Sequence, residues 1–273
     1  TSTKIHQMQS EGGVAGALHG ALLSGTVTST FTSSQGLLLM IPNMYKISGE
    51  LLPGVMHVAT RNLGTHSQCI YPEHSDLMAV RSTGWPIIYS SNVQECQDLA
   101  VVSHLAAIES SLPFVHAFDG FRTSHEISKI SEIQPETMKK LMDFDKIAEF
   151  RKKAMNPNKP TLFGTIASDQ TSFQSTEALA PYYKVVPEVV EKMMKKVESV
   201  TGRHYDLFSY YGPKDAEHVI VVMGSGAGPV KDTVDYMTKK GKKVGLVNVH
   251  LFRPFSQKHI LEAIPKTAKT VTV

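Results

Sequence analysis

The chain of 273 residues has only two cysteines, Cys69 and Cys96. Two thiols cannot build a disulfide framework, nor can they supply the four thiolates of an iron–sulfur cluster. Their scarcity fits a reducing compartment. No long apolar run occurs: Gly36–Ile41 is the longest candidate, far below the roughly 18 residues that a membrane span needs. The start, Thr1-Ser2-Thr3-Lys4-Ile5, carries no signal-peptide pattern. An excess of one sign of charge is also nearly missing, since 28 Lys+Arg against 25 Asp+Glu leave +3, which argues against nucleic acid as a partner. There is no Gly-x-Ser-x-Gly elbow and no reactive cysteine context, so serine or cysteine hydrolase chemistry has no support. The twelve histidines show no His-x-His or His-x-x-x-His spacing beside a carboxylate, and a metal site is not expected. Low-complexity tracts and repeats of about 20–50 residues are absent.

Charge is distributed unevenly. Residues 1–125 hold 5 basic and 8 acidic side chains, whereas residues 126–273 hold 23 and 17. So sparse a charge implies that the first segment buries an unusual share of its surface, within a covered parallel sheet or inside a larger assembly. Short β-branched or apolar runs recur there at Thr26–Thr32, Gly54–Thr60, Pro86–Ser90 and Pro113–Phe118. Between them lie helix-like stretches at Gly12–Ser24, Gly36–Leu51, Glu73–Ser82 and Val93–Ser110. The repeat length of about 30 residues suits a strand, a helix and two loops. The fold class is therefore α/β, an open and mostly parallel sheet flanked by helices.

Residues 126–213 interrupt the rhythm. Ile133–Lys153 reads as a charged helix, Met155–Pro181 as a long surface excursion rich in Asn, Pro, Ser and Thr, and Pro187–Thr201 as an amphipathic helix stopped by Gly202. The α/β pattern then resumes, with strands expected at His218–Met223 and Lys243–Phe252, helices at Val230–Lys240 and Ser256–Ile264, and the start of a strand at Thr270–Val273. The division expected is a first domain with its connector over residues 1–203 and part of a second α/β domain over 204–273.

Three places carry candidate chemistry. Gly224-Ser225-Gly226-Ala227-Gly228 follows a strand and precedes a helix. It is either a phosphate cradle or, better, a tight strand–helix turn, since Pro229 and the glycine spacing miss the dinucleotide fingerprint. Glu11 heads a run of small residues from Val14 to Gly25, where a helix can approach another backbone closely. The alternative for Glu11 is a carboxylate serving the helix dipole. Arg61 ends the strand Gly54–Thr60, and ligands of open α/β sheets bind beyond the carboxyl ends of strands. An Arg there can grip a carboxylate with two parallel hydrogen bonds; the alternative is an ion pair with Glu50 or Glu73.

The stretches from Met8-Gln9-Ser10-Glu11-Gly12-Gly13 through Thr60-Arg61, then Leu112–Ile130, Val186–Met193 and Gly245–Phe255, resemble the pyruvate:ferredoxin (flavodoxin) oxidoreductases. The resemblance covers essentially the whole chain. It implies the transketolase-like domain that binds the pyrimidine end of thiamine diphosphate, followed by the start of a domain like the transketolase C-terminal one. Glu11 matches the glutamate that contacts the aminopyrimidine, and Arg61 the arginine that contacts the 2-oxoacid carboxylate. The implied activity is oxidative decarboxylation of pyruvate with coenzyme A to acetyl-CoA and carbon dioxide, with electrons passing to ferredoxin or flavodoxin. The diphosphate and Mg2+ site and the [4Fe-4S] clusters would belong to later domains of the polypeptide, so the chain alone would be inactive. A homodimer in the cytoplasm, or in a hydrogenosome, is the implied setting. NADP-linked pyruvate oxidoreductases and a non-catalytic region of sulfite reductase flavoprotein subunits are the related alternatives, and the joint presence of Glu11 and Arg61 favours the enzyme. Around Leu63–Asp76 the sequence departs from the family pattern at Gln68–Glu73 while keeping His74 and Asp76, which puts the shape of that loop in question.

Overall fold

The computed structural model describes residues 3–162, 164 and 166–273. The first part runs α1 (Glu11–Leu23), β1 (Ser29–Thr32), α2 (Ser34–Leu39), α3 (Ile41–Gly49), β2 (Val55–Thr60), α4 (Ser75–Val80), β3 (Ile87–Ser90), α5 (Val93–Ser110) and β4 (Phe114–Asp119). The four strands pair in parallel in the order β1-β2-β4-β3. β2, β3 and β4 are buried along nearly their whole length, which is why their sequences are continuous apolar runs rather than alternating ones. On one face Met56, Val58, Ile87 and Val115 pack against α1 to α4 through Leu18, Leu22, Met44 and Leu77. On the other, Val55, Ile88 and Phe114 meet Leu99, Val102 and Ala106 of α5. This internal burial accounts for much of the low charge of the region, although Phe31 and Tyr71 stay 75% and 61% exposed.

The second part contains α6 (Pro135–Leu141), α7 (Phe144–Lys152), α8 (Asp169–Ala178), α9 (Ala180–Lys184), α10 (Val186–Thr201), β5 (Phe208–Tyr211), β6 (His218–Val222), α11 (Ala227–Lys239), β7 (Val244–Val249), β8 (Leu251–Arg253), α12 (Gln257–Ala263) and β9 (Thr270–Thr272). A second sheet forms in the order β5-β7-β6-β9, parallel except for β5. α10 ends at Gly202 in the left-handed conformation at φ 69°, as its sequence leads one to expect. Its buried Val190, Met194 and Val197 join the α5 side of the first core. No helix among the described residues is long and apolar enough to cross a membrane.

The expectation departs from the structure at five places. Gly36–Leu51 is two helices, because Pro42 sits in the first turn of α3, where its missing N–H costs nothing, and the chain turns at Met40. Ile133–Lys153 is also two: Met142 is extended, and Asp143 caps α7 by accepting from the Lys146 N–H at 3.0 Å. Met155–Pro181, expected as an excursion, holds α8, which buries none of its residues and so shows no apolar period to read; Phe163 and Thr165 of that stretch lie outside the described residues. Lys243–Phe252 is not one strand, since the chain bends at His250 and β8 adds antiparallel to β3 of the first sheet. β5 was not expected, being a four-residue edge strand of mixed polarity.

Candidate functional site

At the carboxyl end of the first sheet the chain leaves adjacent strands in opposite directions. From β2 it turns to α4, whose Leu77 and Val80 lie in the α1–α4 core. From β4 it passes to the α5 side, where the Gln94 and Gln97 side chains accept from the Ser131 and Ile133 N–H groups at 2.7 and 3.1 Å. A crevice at such a divergence is where open α/β sheets receive ligands. Arg61, the first residue after β2, stands at this end of the sheet. Gly120, the first after β4, is a glycine because a Cβ there would lie 2.6 Å from Arg61 Cγ; the arginine stem therefore rests on the end of β4. The ion pairs considered for Arg61 are not formed: Glu50 pairs with His19 and Lys46 at 2.6 and 3.0 Å, and Glu73 accepts from Asn62 at 3.5 Å.

Among the described residues, three buried side-chain polar atoms lack a partner: Thr32 Oγ1, Arg61 Nε and Thr123 Oγ1. All three belong to this one edge, at the end of β1 and just past β2 and β4. Each such group costs about 1–3 kcal/mol when left unsatisfied, and their concentration at one edge makes it the candidate site.

Glu11 reaches the same edge from another direction. It opens α1 and is exposed. Its side chain lies on Gly36 of α2, where a Cβ would begin 2.7 Å from Glu11 Cγ and 2.9 Å from Oε1. α2 follows β1, so Glu11 and Arg61 border loops from neighbouring strands.

Two buried carboxylates organise this edge. Asp76 at the start of α4 accepts from the N–H groups of Ser34, Arg61 and Leu77 at 2.9, 3.0 and 2.7 Å. Burial pushes its pKa above the ordinary carboxylate value against the pull of these amides. Asp119 ends β4 and accepts from the Ser225 N–H and hydroxyl at 2.9 and 2.5 Å and from the Tyr89 hydroxyl, with His74 Nε2 at 3.6 Å. Burial alone would raise its pKa, but the bonds from His74, Ser225 and Tyr89 prevail and hold it down to about 2. Gly224 approaches so closely, with φ 90°, that a Cβ would meet Asp119 Oδ1 at 2.7 Å. The Gly224–Gly228 segment is thus a strand–helix turn whose anion is the protein's own Asp119, and it fastens the second sheet to the first.

Beneath α5, His57 of β2 and His116 of β4 have Nδ1 atoms 3.0 Å apart, so one ring donates and the other accepts. His57 Nε2 is 3.3 Å from His104 Nε2 of α5, and His116 Nε2 is 2.8 Å from Ser90 Oγ. Burial drops His57 and His104 to about 4, with the neighbouring His104 adding to the effect on His57. His116 is lowered by burial and by both neighbours. The rings form a neutral chain across the strands, and no group of three or more His, Cys, Asp or Glu is arranged to hold a metal ion among the described residues.

A family model described as pyruvate flavodoxin/ferredoxin oxidoreductase, thiamine diphosphate-binding, matches residues 1–195. The chain belongs to this oxidoreductase family. The core domain II model of pyruvate:ferredoxin oxidoreductase matches residues 216–273. Among relatives, the pyruvate:ferredoxin oxidoreductase of Moorella thermoacetica is 53% identical across 99% of this chain and 23% of its own length. The NADP(+) pyruvate dehydrogenase of Cryptosporidium parvum is 52% identical across 98% of this chain and 14% of its own. The chain thus spans under a quarter of these relatives. The 2-oxoglutarate:ferredoxin oxidoreductase of Magnetococcus marinus, solved with 2-oxoglutarate, coenzyme A and succinyl-CoA bound, superposes with a TM-score of 0.69 over 98% of this chain and 49% of that one, at 18% identity. That likeness carries the fold, a mostly parallel α/β architecture of the family.

An exposed carboxylate stands at Glu11, and the unsatisfied donors of Thr32, Arg61 and Thr123 lie nearby on the same edge. Asp76 and Asp119 were not singled out from sequence as site-forming. Asp76 has the local look of a helix-start acid and Asp119 of an Asp-Gly turn, so neither pattern points to partners such as Ser34 or Ser225, 42 and 106 residues away.

Proposed function

We propose that this chain forms the pyrimidine side of a thiamine diphosphate site in a pyruvate oxidoreductase that yields acetyl-CoA and carbon dioxide, with electrons passing to ferredoxin or flavodoxin. The observation that carries this reading is Arg61: half-buried at the sheet edge, its Nε unpartnered, with both carboxylates that might have paired with it engaged elsewhere. Bound thiamine diphosphate supplies the electron sink that lets a 2-oxoacid lose carbon dioxide. Glu11 offers a carboxylate to hold a proton at the pyrimidine ring nitrogen. Arg61 binds the substrate carboxylate through its planar fork and so orients the keto carbon. The diphosphate, its Mg2+, the [4Fe-4S] clusters and the coenzyme A and acceptor sites belong, on this reading, to the remaining polypeptide of a cytoplasmic homodimer. Ferredoxin-linked and NADP-linked relatives are nearly equally similar here, at 53% and 52%, as suits a segment that handles the 2-oxoacid rather than the acceptor.

Steady-state kinetics in the full enzyme test the proposal. Arg61→Lys keeps the charge without the two-point grip and should raise the pyruvate KM more than it lowers kcat. Arg61→Ala should cost both. Unchanged pyruvate kinetics in Arg61→Ala would remove the carboxylate role.

A further inference from the structure

Asp76 is fully buried, and the partners of its carboxylate are three backbone N–H groups rather than a cation. Burying an anion costs several kcal/mol that an apolar side chain would not, and a helix start needs no more than an exposed cap. What an apolar residue could not do is join two loops through one atom. Asp76 Oδ2 accepts from Ser34 N–H at 2.9 Å and from Arg61 N–H at 3.0 Å, and so ties the segment leaving β1 to the segment leaving β2. The neighbouring Ser75 hydroxyl accepts from Leu63 N–H at 3.2 Å and fixes the same second loop.

The first loop needs the tie. Ser34 is a non-glycine residue at φ 51°, a conformation that persists only where its surroundings over-determine it. Its amide is held by Asp76, and its hydroxyl donates to the Asn62 carbonyl at 3.0 Å. Two residues on, Gly36 carries the Glu11 side chain. One carboxylate oxygen therefore stands between the loop that bears Arg61 and the short helix on which Glu11 rests.

We propose that Asp76 is the positioning residue that sets Arg61 relative to Glu11 for a 2-oxoacid, an inference that rests on the reading of those two residues given above. Asp76 touches neither substrate nor cofactor. It acts through the Arg61 and Ser34 amides, and a misplacement of about 1 Å at such a site can cost on the order of 100-fold in rate.

Two variants of the full enzyme separate positioning from mere structure. Asp76→Ser keeps a hydroxyl for Leu77 N–H but is too short to reach Ser34 and Arg61. Asp76→Asn keeps one oxygen able to bridge both amides. The expected result is a pyruvate KM raised roughly 10- to 100-fold in Asp76→Ser, with a smaller fall in kcat, and rescued to within a few-fold in Asp76→Asn. Hydrogen exchange by mass spectrometry should show residues 33–36 and 61–63 losing protection together in Asp76→Ser and keeping it in Asp76→Asn. A folded Asp76→Ser enzyme with wild-type KM overturns the proposal, as does an Asp76→Asn enzyme with protected amides and an equally raised KM. Should Asp76→Ser fail to fold, the wild type decides: pyruvate must slow exchange in 33–36 along with 61–63, and protection confined to 61–63 refutes the coupling. Arg61→Ala is the control. If it leaves pyruvate kinetics unchanged, the reading of Arg61 has failed; if it abolishes them while Asp76→Ser does not, the positioning role alone has failed.

Discussion

The neutral histidine chain under α5 makes a quantitative prediction about acid. An imidazole that titrates near 6.5 in the unfolded chain and at about 4 in the folded one, as His57 and His104 do, leaves the unfolded state binding more protons between those values. Stability is then full above about pH 7 and falls as pH drops from 6.5 toward 4. Between pH 7.5 and pH 5 each ring forfeits about 2 kcal/mol, so two forfeit a sizeable part of a typical domain stability of about 5–15 kcal/mol. His250 works in the opposite sense. Burial would lower its pKa, but the Glu95 hydrogen bond and charge prevail and raise it, so its contribution is present in acid and is lost as pH rises through the folded value. A difference between variant and wild type removes that term. His104→Gln retains a hydrogen-bonding group toward His57 without a titrating ring, and should lose about 2 kcal/mol less than wild type on going from pH 7.5 to pH 5. The chain has a single tryptophan, Trp85, which is buried against the α1–α4 core and donates to the Met44 carbonyl at 2.9 Å; its fluorescence reports unfolding of the first sheet. With a urea dependence of about 1–3 kcal/mol/M, the midpoint of the variant relative to wild type should shift upward by about 1 M between pH 7.5 and pH 5. Parallel curves for the two proteins across this range would refute the claim that His104 is held neutral.

Three further outcomes are expected. Glu11→Gln should cut turnover by at least about 100-fold and slow exchange of the cofactor C2 proton measured by NMR, while the Trp85 urea midpoint stays put because the side chain is exposed; unchanged exchange would deny Glu11 the activating role. Gly224→Ala should cost about 1–3 kcal/mol, since φ is 90° and the new methyl would meet Asp119 Oδ1 at 2.7 Å; thermal unfolding by calorimetry checks it. Arg203→Met should destabilise by about 3–5 kcal/mol, because Asp98 is fully buried and takes two hydrogen bonds from this guanidinium at 2.6 and 2.7 Å; an unaltered urea midpoint would show that Tyr205, which donates to Asp98 at 2.7 Å, suffices.

The alternation of the first 120 residues was legible because a covered parallel sheet leaves a continuous apolar run wherever a strand passes, and β2, β3 and β4 are such runs. The helix end marked by Gly202 was legible for an equally local reason. α8 and β5 were not: α8 buries none of its residues, and β5 is a four-residue edge strand that sends only Phe208 and Tyr210 to the α5-side core. β8 shows a different limit. Its residues have strand character, but nothing local says that they leave the sheet of β7 for that of β3.

The same limit governs the site. Glu11 and Arg61 stand out because each has an unusual neighbourhood in sequence, a small-residue helix in one case and a strand end in a region of few charges in the other. Asp76 and Asp119 sit in ordinary neighbourhoods, and their partners are mostly distant in sequence: for Asp76 the Ser34 and Arg61 amides, which any residue but proline could supply, and for Asp119 the Tyr89 hydroxyl and the Ser225 amide and hydroxyl. The glycine-rich turn at Gly224 was ambiguous for that reason. Its geometry suits an anion, and the sequence offered a phosphate or nothing, whereas the anion is a carboxylate 106 residues earlier in the chain, bonded to Ser225. The Ser225 amide of this strand–helix turn is already taken by a buried side chain, so the candidate site lies on the first sheet's own edge, where three side-chain polar atoms remain unpartnered among the described residues.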